Sequence, residues 1–372
     1  MDVIVVGGGI IGCSAAAFLA EPGAHVTLVE ATELGAGASG RNSGAVQHPF
    51  DAVLAELHRE TLAIYADLDG FSLPAEPAGL LLLTDDPRAA ADRAGELARA
   101  HPELAPEVLD ARALHDAEPM LAAGFSAVRL ATGYPVPPDA AVRAFAARAE
   151  AAGARFDIGR GVVEVAVDDG RAHGVVLAGG GRLDADAVLV ASGPATPQLV
   201  DPSGTWRPIT RTWGVTVQVA LPAPARHVLE EGVVHTVNRV VAGDPSAAIV
   251  SLFSMVSVGE TSTVGSTFLA DEPDAAVVAP VLIERGTRIV PALRDARVLR
   301  HRSCPRPQSL DGRPLVGAVA GIDGLVVAAG HGPWGISTGP ATARMAADLL
   351  LDRSPVIPVK LNPNRFGRLP RT

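Results

Sequence analysis

The chain has 372 residues, 48% of them hydrophobic, and a formal net charge of −10 at pH 7. This length predicts about two domains with enough apolar content for a core, and the acidic balance argues against nucleic acid or an anionic membrane as a partner. Lys360 is the only lysine, which excludes lysine chemistry from an active site in the body of the protein.

The N-terminal stretch MDVIVVGGGIIGCSAAAFLA is apolar enough to suggest a secretory signal, but only Asp2 precedes its apolar run, whereas a signal peptide needs a positively charged start. No other apolar run approaches the roughly 20 residues of a membrane span. Cys13 and Cys304 are too few and too far apart for a disulfide framework or a metal cluster, and we expect no metal site. The cytoplasm is therefore the expected compartment.

A βαβ unit explains the N-terminal residues better. Val3–Val6 form an apolar run that ends in glycines, Ile10–Leu19 form a helix of small residues, and Val26–Val29 form a β-branched run that ends at Glu30. A strand, a glycine turn, a helix and a second strand within about 30 residues predict a parallel sheet.

The turn of this unit carries Gly7, Gly9 and Gly12 in G-x-G-x-x-G spacing. The first glycine permits a tight turn, the second lets a pyrophosphate approach the backbone, and the third lets helix and strand pack closely. The phosphates then lie at a helix N-terminus, which favours negative charge. Glu30 is placed to accept hydrogen bonds from the adenosine ribose and disfavours the 2′-phosphate of NADP. NAD and FAD both remain open at this point.

Predicted helices and predicted strands alternate along the rest of the chain. Helices are expected at Asp51–Asp69, Asp139–Ala152 and Pro340–Asp352, whereas GLLLLT and WGVTVQVAL are typical of strands, the latter in antiparallel arrangement. We therefore expect an α/β protein with a discontinuous Rossmann-like cofactor-binding domain and a second, mainly antiparallel α+β substrate domain. The first domain is expected to comprise residues 1–71, 137–205 and 304–372, and the second residues 72–136 and 206–303.

Three further stretches accompany the βαβ unit: GAGASGRNSGAV at 35–46, VLVASG at 188–193, and a block from DGRPLVG at 311 to GHGPWGI at 336. Together the four resemble the flavoprotein amine oxidoreductases of the D-amino-acid oxidase superfamily, which includes glycine oxidase, sarcosine oxidases and proline-type dehydrogenases. The resemblance covers nearly the whole chain. It implies FAD as the cofactor and a small amino or imino acid as the substrate.

The resemblance also implies which residues contact FAD. Val162 offers its backbone to the adenine, the segment from Ser39 passes along the pyrophosphate and flavin ring, and a helix N-terminus at Ser337 to Pro340 lies beside the ring, where it favours negative charge. The expected contacts are Gly7, Gly9, Ile11, Gly12, Glu30, Ser39, Arg41, Asn42, Ser43, Gly44, Val46, Val162, Ala191, Ser192, Gly193, Cys304, Gly330, Gly332, Trp334, Gly335, Ile336 and Ser337.

The stretch SCPRPQSLDG at 303–312 holds Arg306 between two prolines, which keep its backbone extended as in an anion clamp or a plain loop. In glycine oxidase-like members, the arginine of an Arg-Pro pair shortly before Asp-Gly holds the substrate carboxylate. The resemblance thus implies that Arg306 grips it with a bidentate guanidinium; the alternative is a surface salt bridge.

In the sarcosine oxidase branch, a cysteine at the position of Cys304 is bonded to the flavin; the alternative is a small buried thiol. That branch uses a lysine where Ser337 stands here, and a second lysine for oxygen activation. These departures favour the glycine oxidase or dehydrogenase side.

We therefore expect oxidation of the C–N bond of a small amino or imino acid, with a hydride passing from Cα to the flavin. His48, just past the flavin segment, is expected either to face the substrate or to be a structural histidine. The alternatives are a NAD-dependent dehydrogenase and a flavin-bearing electron-transfer subunit. Oxygen, a quinone or a partner protein as electron acceptor, and a monomer or homo-oligomer, all remain open.

Overall fold

The computed structural model describes residues 1–232, 235–238 and 248–367. Nine α-helices lie in these residues: α1 (Ile10–Ala20), α2 (Ala38–Arg41), α3 (Ala52–Ala66), α4 (Pro87–Ala100), α5 (Ala111–Ala117), α6 (Ala140–Ala151), α7 (Thr196–Val200), α8 (Ala275–Gly286) and α9 (Gly335–Leu350).

The described residues also form twenty strands: β1 (Asp2–Val6), β2 (His25–Glu30), β3 (Ala45–Val46), β4 (Leu80–Thr84), β5 (Glu107–Leu109), β6 (Ser126–Leu130), β7 (Tyr134–Pro135), β8 (Arg155–Ile158), β9 (Val162–Asp168), β10 (Arg171–Leu177), β11 (Arg182–Asp184), β12 (Ala187–Val190), β13 (Ile209–Ala220), β14 (Val228–Glu231), β15 (His235–Asn238), β16 (Ala248–Val258), β17 (Thr261–Thr267), β18 (Arg297–Ser309), β19 (Leu315–Ala318) and β20 (Leu325–Ala329).

The first sheet has six strands in the order β19-β20-β12-β1-β2-β8, and its neighbours are parallel except β19 and β20. Alternate residues of β1 enter two different cores. Val3 and Val5 pack with the helices α1, α3, α6 and α9, whereas Ile4 and Val6 pack toward the small sheet β11-β10-β9. The apolar N-terminal stretch is thus a central strand and its helix, as the βαβ prediction requires.

The second large sheet has the order β18-β13-β17-β16-β14-β4-β6-β5, with β15 paired to β16. Its pairs are antiparallel except β14 and β4, which are parallel. Val215, Val217 and Val219 of β13 enter a core with α8, while Gly214 and Thr216 face a cavity on the other side. The predicted architecture, an α/β cofactor-binding fold with a second, mainly antiparallel sheet, is confirmed.

Strand β18 lies at the edge of this second sheet and pairs with β13 along its whole length. Pro305 and Pro307 are tolerated there, because one side of an edge strand forms no ladder hydrogen bonds. The extended backbone expected around Arg306 therefore belongs to a regular strand and not to a loop. The proposed domain boundary at residue 304 falls inside this strand.

Helix α9 begins at Gly335, directly after a 3-10 turn at Gly332–Trp334, and the prediction of a start at Pro340 is wrong. Pro340 lacks the N–H that would bond to the carbonyl of Ile336, which is why the sequence suggests a boundary. The hydroxyl of the buried Tyr65 donates to that carbonyl instead, at 2.7 Å. The helix can therefore continue through the proline, and its N-terminus lies earlier than expected.

The described residues contain no helix that combines the length and the apolar character needed to cross a membrane.

We expect Tyr65→Phe to lower the free energy of unfolding by about 1–3 kcal/mol, because the carbonyl of Ile336 then loses its donor inside the core. Urea unfolding at pH 7 measures the change. Tyr134→Phe, at the other and only half-buried tyrosine, is the matched control and should cost less than about 0.5 kcal/mol. Equal losses in the two variants would show that the hydroxyl of Tyr65 does not support α9.

Candidate functional site

The turn between β1 and α1 is tightly built. Gly7 has a positive φ of 113°, and a Cβ on it would lie 2.6 Å from the carbonyl oxygen of Ala191. A Cβ on Gly12 would overlap the carbonyl oxygen of Gly7. These contacts give the physical reason for glycine at both positions. Gly9 is the N-cap of α1, and the Ile10 N–H donates to Ser39 Oγ at 3.0 Å.

Glu30 ends β2 beside this turn. Its Oε2 accepts from the Gly8 N–H at 2.7 Å, and its Oε1 accepts from the Thr32 N–H at 2.9 Å. The carboxylate is thereby held next to the N-terminus of α1, within reach of a sugar bound there. Val162 opens β9 nearby, since the preceding residues Gly159 and Arg160 both donate their N–H groups to the Glu30 carbonyl oxygen.

The segment 38–46 lies beside the start of α1, and hydrogen bonds of its own side chains fix its conformation. The amide nitrogen of Asn42 donates to the carbonyl oxygens of Ala38, Ser39 and Pro138, and its oxygen accepts from the Gly44 N–H at 2.8 Å. Asn42 therefore organises the loop as well as bordering the cavity. Val46 is fully buried in the helical core, so it can face a ligand only through its backbone.

The turn after β12 packs on the first glycine turn. The Ala191 N–H donates to the Val6 carbonyl oxygen at 2.9 Å, and Ser192 Oγ donates to the same oxygen at 3.1 Å. Gly193 has a φ of 55°, and Pro307 lies 4.0 Å from where its Cβ would stand. The structure thus brings the residues predicted from VLVASG next to the G-x-G-x-x-G turn and to β18.

A cavity of about 310 Å³ lies between the first turn of α1, the segment 38–47, the inner face of the second sheet, and residues 331–337. Twelve of the residues predicted from the sequence line it: Ile11, Ser39, Arg41, Asn42, Ser43, Cys304, Arg306, Gly332, Trp334, Gly335, Ile336 and Ser337. Gly330 lies apart from it, packed against Leu315 and Ile209.

The side chain of Arg306 extends from β18 across β13 to β17. The guanidinium passes over Gly214, where a Cβ would overlap it, donates to the Thr267 carbonyl oxygen at 2.8 Å and to Ser266 Oγ, and stacks 5.0 Å from the ring centroid of Phe268. No carboxylate of the described residues pairs with it. Burial lowers its pKa, because the charged form is removed from water. The expected alternative, a surface salt bridge, is therefore wrong.

Cys304 is buried and lines the same cavity. Burial raises the pKa of its thiol, an effect that the charge of Arg306 opposes. The net shift favours the neutral thiol, which is the less nucleophilic form.

Glu230 on β14 is a cavity residue that the sequence analysis missed. Its Oε2 accepts from the side-chain amide of Gln47 at 3.2 Å, and burial raises its pKa. Gln47 in turn donates its N–H to Ser337 Oγ at 3.0 Å. No motif marks Glu230, since it stands in an ordinary strand beside a second glutamate, Glu231.

His48 lies in a cluster behind the cavity. Its ring packs edge-on against His58 and His101, and its Nε2 lies 3.5 Å from Glu103 Oε1. The described residues that line the cavity include its neighbour Gln47 but not His48 itself. Burial, followed by the charge of His101, lowers the pKa of His48.

His48, His101 and Glu103 each offer one ligand atom, and these atoms lie within 4.8 Å of one another, close enough for a metal ion. The second ring nitrogen of a metal-bound histidine is normally hydrogen-bonded. His48 Nδ1 is buried and finds no such partner within the described part of the chain. The trio therefore lacks the supporting contacts of a built metal site.

A Rossmann-like sheet whose glycine turn adjoins a cavity, closed by an antiparallel sheet that carries an arginine, is an arrangement typical of oxidoreductases with a dinucleotide cofactor. Residues 2–349 match the DAO family, described as FAD dependent oxidoreductase, and the chain belongs to this family. It is therefore an FAD-dependent oxidoreductase, and the NAD-dependent alternative is wrong.

Curated relatives agree with this assignment. The chain is 28% identical to a glycine oxidase of Pseudomonas aeruginosa over 95% of this chain and 96% of the relative. It is 30% identical to a D-amino acid dehydrogenase of Sinorhizobium medicae over 66% of this chain and 57% of that relative, so it spans little more than half of the dehydrogenase. Among solved structures, an iminodiacetate oxidase of a Chelativorans species has the same fold, with a TM-score of 0.81, 23% identity and coverage of 97% and 98% of the two chains.

We expect acid to destabilise the protein through His58. Burial, together with the charge of His48, lowers the pKa of His58 to about 4, although a contact with the Ser337 carbonyl oxygen opposes this. The unfolded chain then binds a proton below about pH 6.5 that the folded chain takes up only near pH 4, so stability is lost as the pH falls through this window. Between pH 7 and pH 5 the loss should be about 2 kcal/mol.

Urea unfolding of His58→Gln at both pH values measures this contribution, and its pH dependence should be flatter than that of the parent by the same amount. His115→Gln, at an exposed histidine, is the control for the loss of one imidazole. An unchanged pH dependence in His58→Gln would contradict the expectation.

Proposed function

We propose that the protein oxidises the C–N bond of a small amino or imino acid. The observation that carries the proposal is the half-buried Arg306, whose guanidinium faces a 310 Å³ cavity without a carboxylate partner in the described residues. A cation that has lost much of its water normally has a partner, and the carboxylate of a substrate would supply it. The similarity to glycine oxidase over nearly the full chain supports the same reaction class.

Arg306 holds this carboxylate. Its planar guanidinium gives a bidentate, charge-assisted grip, and Thr267, Ser266 and Phe268 limit where it can move. Such a fixed clamp orients the rest of a small substrate relative to the cavity wall formed by residues 331–337. Bound FAD supplies the two-electron oxidation of the Cα–N bond to an imine.

The residues present suit this cofactor. The glycine turn leaves no room for side chains at Gly7 and Gly12 and ends at a helix N-terminus, which fits a pyrophosphate. The fixed carboxylate of Glu30 fits the ribose, and the backbone at Val162 fits the adenine. The segments 39–44, 191–193 and 331–337 then hold the remainder. Since α9 begins at Gly335, the positive helix end lies at that residue and not at Ser337–Pro340.

We propose that FAD is held without a covalent bond, because burial raises the pKa of the Cys304 thiol and keeps it in the less nucleophilic form. After acid precipitation of the purified protein, the flavin absorbance should appear in the supernatant. Cys304→Ala should release flavin to the same extent. Flavin that stays in the pellet for the parent protein but is released from Cys304→Ala would show a thioether instead.

Removing the clamp tests the reaction class. Arg306→Ala should raise the KM for small amino acids by about 100-fold, the loss expected for a charge-assisted bidentate contact, while FAD absorbance stays unchanged. Arg306→Lys should recover part of the affinity, since it keeps the charge but not the fork. Arg211→Ala, at an exposed arginine on the neighbouring strand β13, is the matched control. Unchanged kinetics in Arg306→Ala would remove this residue from the site.

A further inference from the structure

We propose that Glu230 is the amine-binding group of the substrate site, and that it selects zwitterionic amino acids by binding their ammonium and accepting one of its protons. This inference rests on the proposed function. Arg306 binds the carboxylate of the substrate there, and Glu230 is assigned to the amino group of the same molecule. It adds a residue and a charge that the carboxylate clamp alone does not specify.

The sheet places the anchors of the two groups two strands apart. The guanidinium of Arg306 is bonded to Ser266 and Thr267 on β17, and Glu230 lies on β14, with only β16 between them. Two strand spacings amount to about 10 Å between the backbones. Glu230 pairs with Ser254 of β16, and Ser254 pairs with Gly265 of β17, so the two groups lie close to one row across the sheet.

An α-amino acid offers one group to each of these residues. It carries its carboxylate and nitrogen on the same carbon, so the two groups lie close together. Each can form a charge-assisted hydrogen bond of about 2.8 Å. Both groups line the same cavity, so one small molecule can contact the two of them.

The neighbouring glutamate shows what is particular about this position. Glu231 points to the opposite face of the sheet, where it forms an ion pair with Arg285 and accepts from the Phe253 N–H. Glu230 has Gln47 as its hydrogen-bond donor, and no arginine or lysine of the described residues forms an ion pair with it. A half-buried carboxylate without a cationic partner is costly, and a substrate ammonium lowers that cost.

The charges around Glu230 agree with this role. It is the one carboxylate among the described residues that line the cavity, and the other titratable groups there are Arg41, Cys304, Arg306 and His331. Burial raises the pKa of the Glu230 carboxyl, because the charged form is removed from water, and once ionised the carboxylate is therefore a stronger base than an exposed one. Burial lowers the pKa of His331 to about 3, so the imidazole stays neutral and does not compete for the proton.

The proton transfer is balanced within the site. One N–H bond of the ammonium breaks, an O–H bond forms on Glu230, and the electron pair of the broken bond stays on nitrogen as a lone pair. No electrons are gained or lost in this step. The neutral amine that results is the form whose lone pair can build the C=N bond of the imine. Simple carboxylates lack the ammonium and quaternary amines lack the proton, so the site selects amino acids whose ammonium carries at least one N–H.

The test compares two ligands of the same shape, 2-aminoisobutyrate and pivalate, which differ by an ammonium in place of a methyl group. Neither has a hydrogen on Cα, so neither is oxidised. Their dissociation constants follow from flavin difference spectra of the FAD-loaded protein. The parent should bind 2-aminoisobutyrate about 10- to 100-fold more tightly than pivalate, and Glu230→Gln should abolish this preference while its affinity for pivalate stays within about 3-fold of the parent's.

Glu230→Asp, which keeps the charge, should retain part of the preference, and Glu231→Gln on the opposite face should retain all of it. A Glu230→Gln protein that keeps the full preference overturns the inference, as does equal weakening of both ligands. Failure of the proposed function is a different result, since neither carboxylate would then bind the parent protein.

Discussion

The pairing of β18 with β13 is the constraint on which the rest of the site depends. Twelve residue pairs hold β18 along the edge of the second sheet, and its alternate side chains point toward the cofactor-binding fold. Arg302 donates to the carbonyl oxygens of Gly40 and Asn42, and Gln308 forms a bridge with His331. The same strand therefore carries Arg306 and contacts the segments 38–47 and 331–337, which enclose the cavity.

A cavity built this way is lined by one half-buried guanidinium and one half-buried carboxyl group that are not paired with each other. Arg306 is anchored by neutral groups, and Glu230 is supported by an amide. Each charge is costly to remove from water, and the ions would lower that cost most simply by direct contact. Their anchors on separate strands keep them apart, which leaves room for a zwitterion. In our proposal, the substrate pairs with both groups and thereby lowers the cost of their desolvation.

The far wall of the cavity depends on a helix that begins five residues before the start predicted at Pro340. Tyr65 completes the hydrogen bonding of α9 around Pro340. In the first turn, the Gln47 N–H donates to Ser337 Oγ and the ring of His58 contacts the Ser337 carbonyl oxygen. These contacts come from segments about 270 to 290 residues away in the chain. The position of the helix N-terminus is thus supported by distant hydrogen-bond partners and not by the local sequence.

The sequence by itself determined the elements whose physical cause is local. Gly7, Gly12 and Glu30 lie within one βαβ unit, so their spacing specifies the turn and its acid before any tertiary contact forms. The prolines beside Arg306 likewise indicate extended backbone from their own covalent geometry.

Only the tertiary structure decided which groups contact Arg306 and which of two adjacent glutamates faces the cavity. Glu230 and Glu231 are the same residue type in adjacent positions, and the strand alternation that turns one to the cavity and the other to Arg285 depends on the register with β16 and β4. Asn42 could be expected to contact a ligand, yet the loop uses its amide internally. Register and long-range hydrogen bonds join residues that are far apart in the chain, which is why no spacing in a single sequence reveals them.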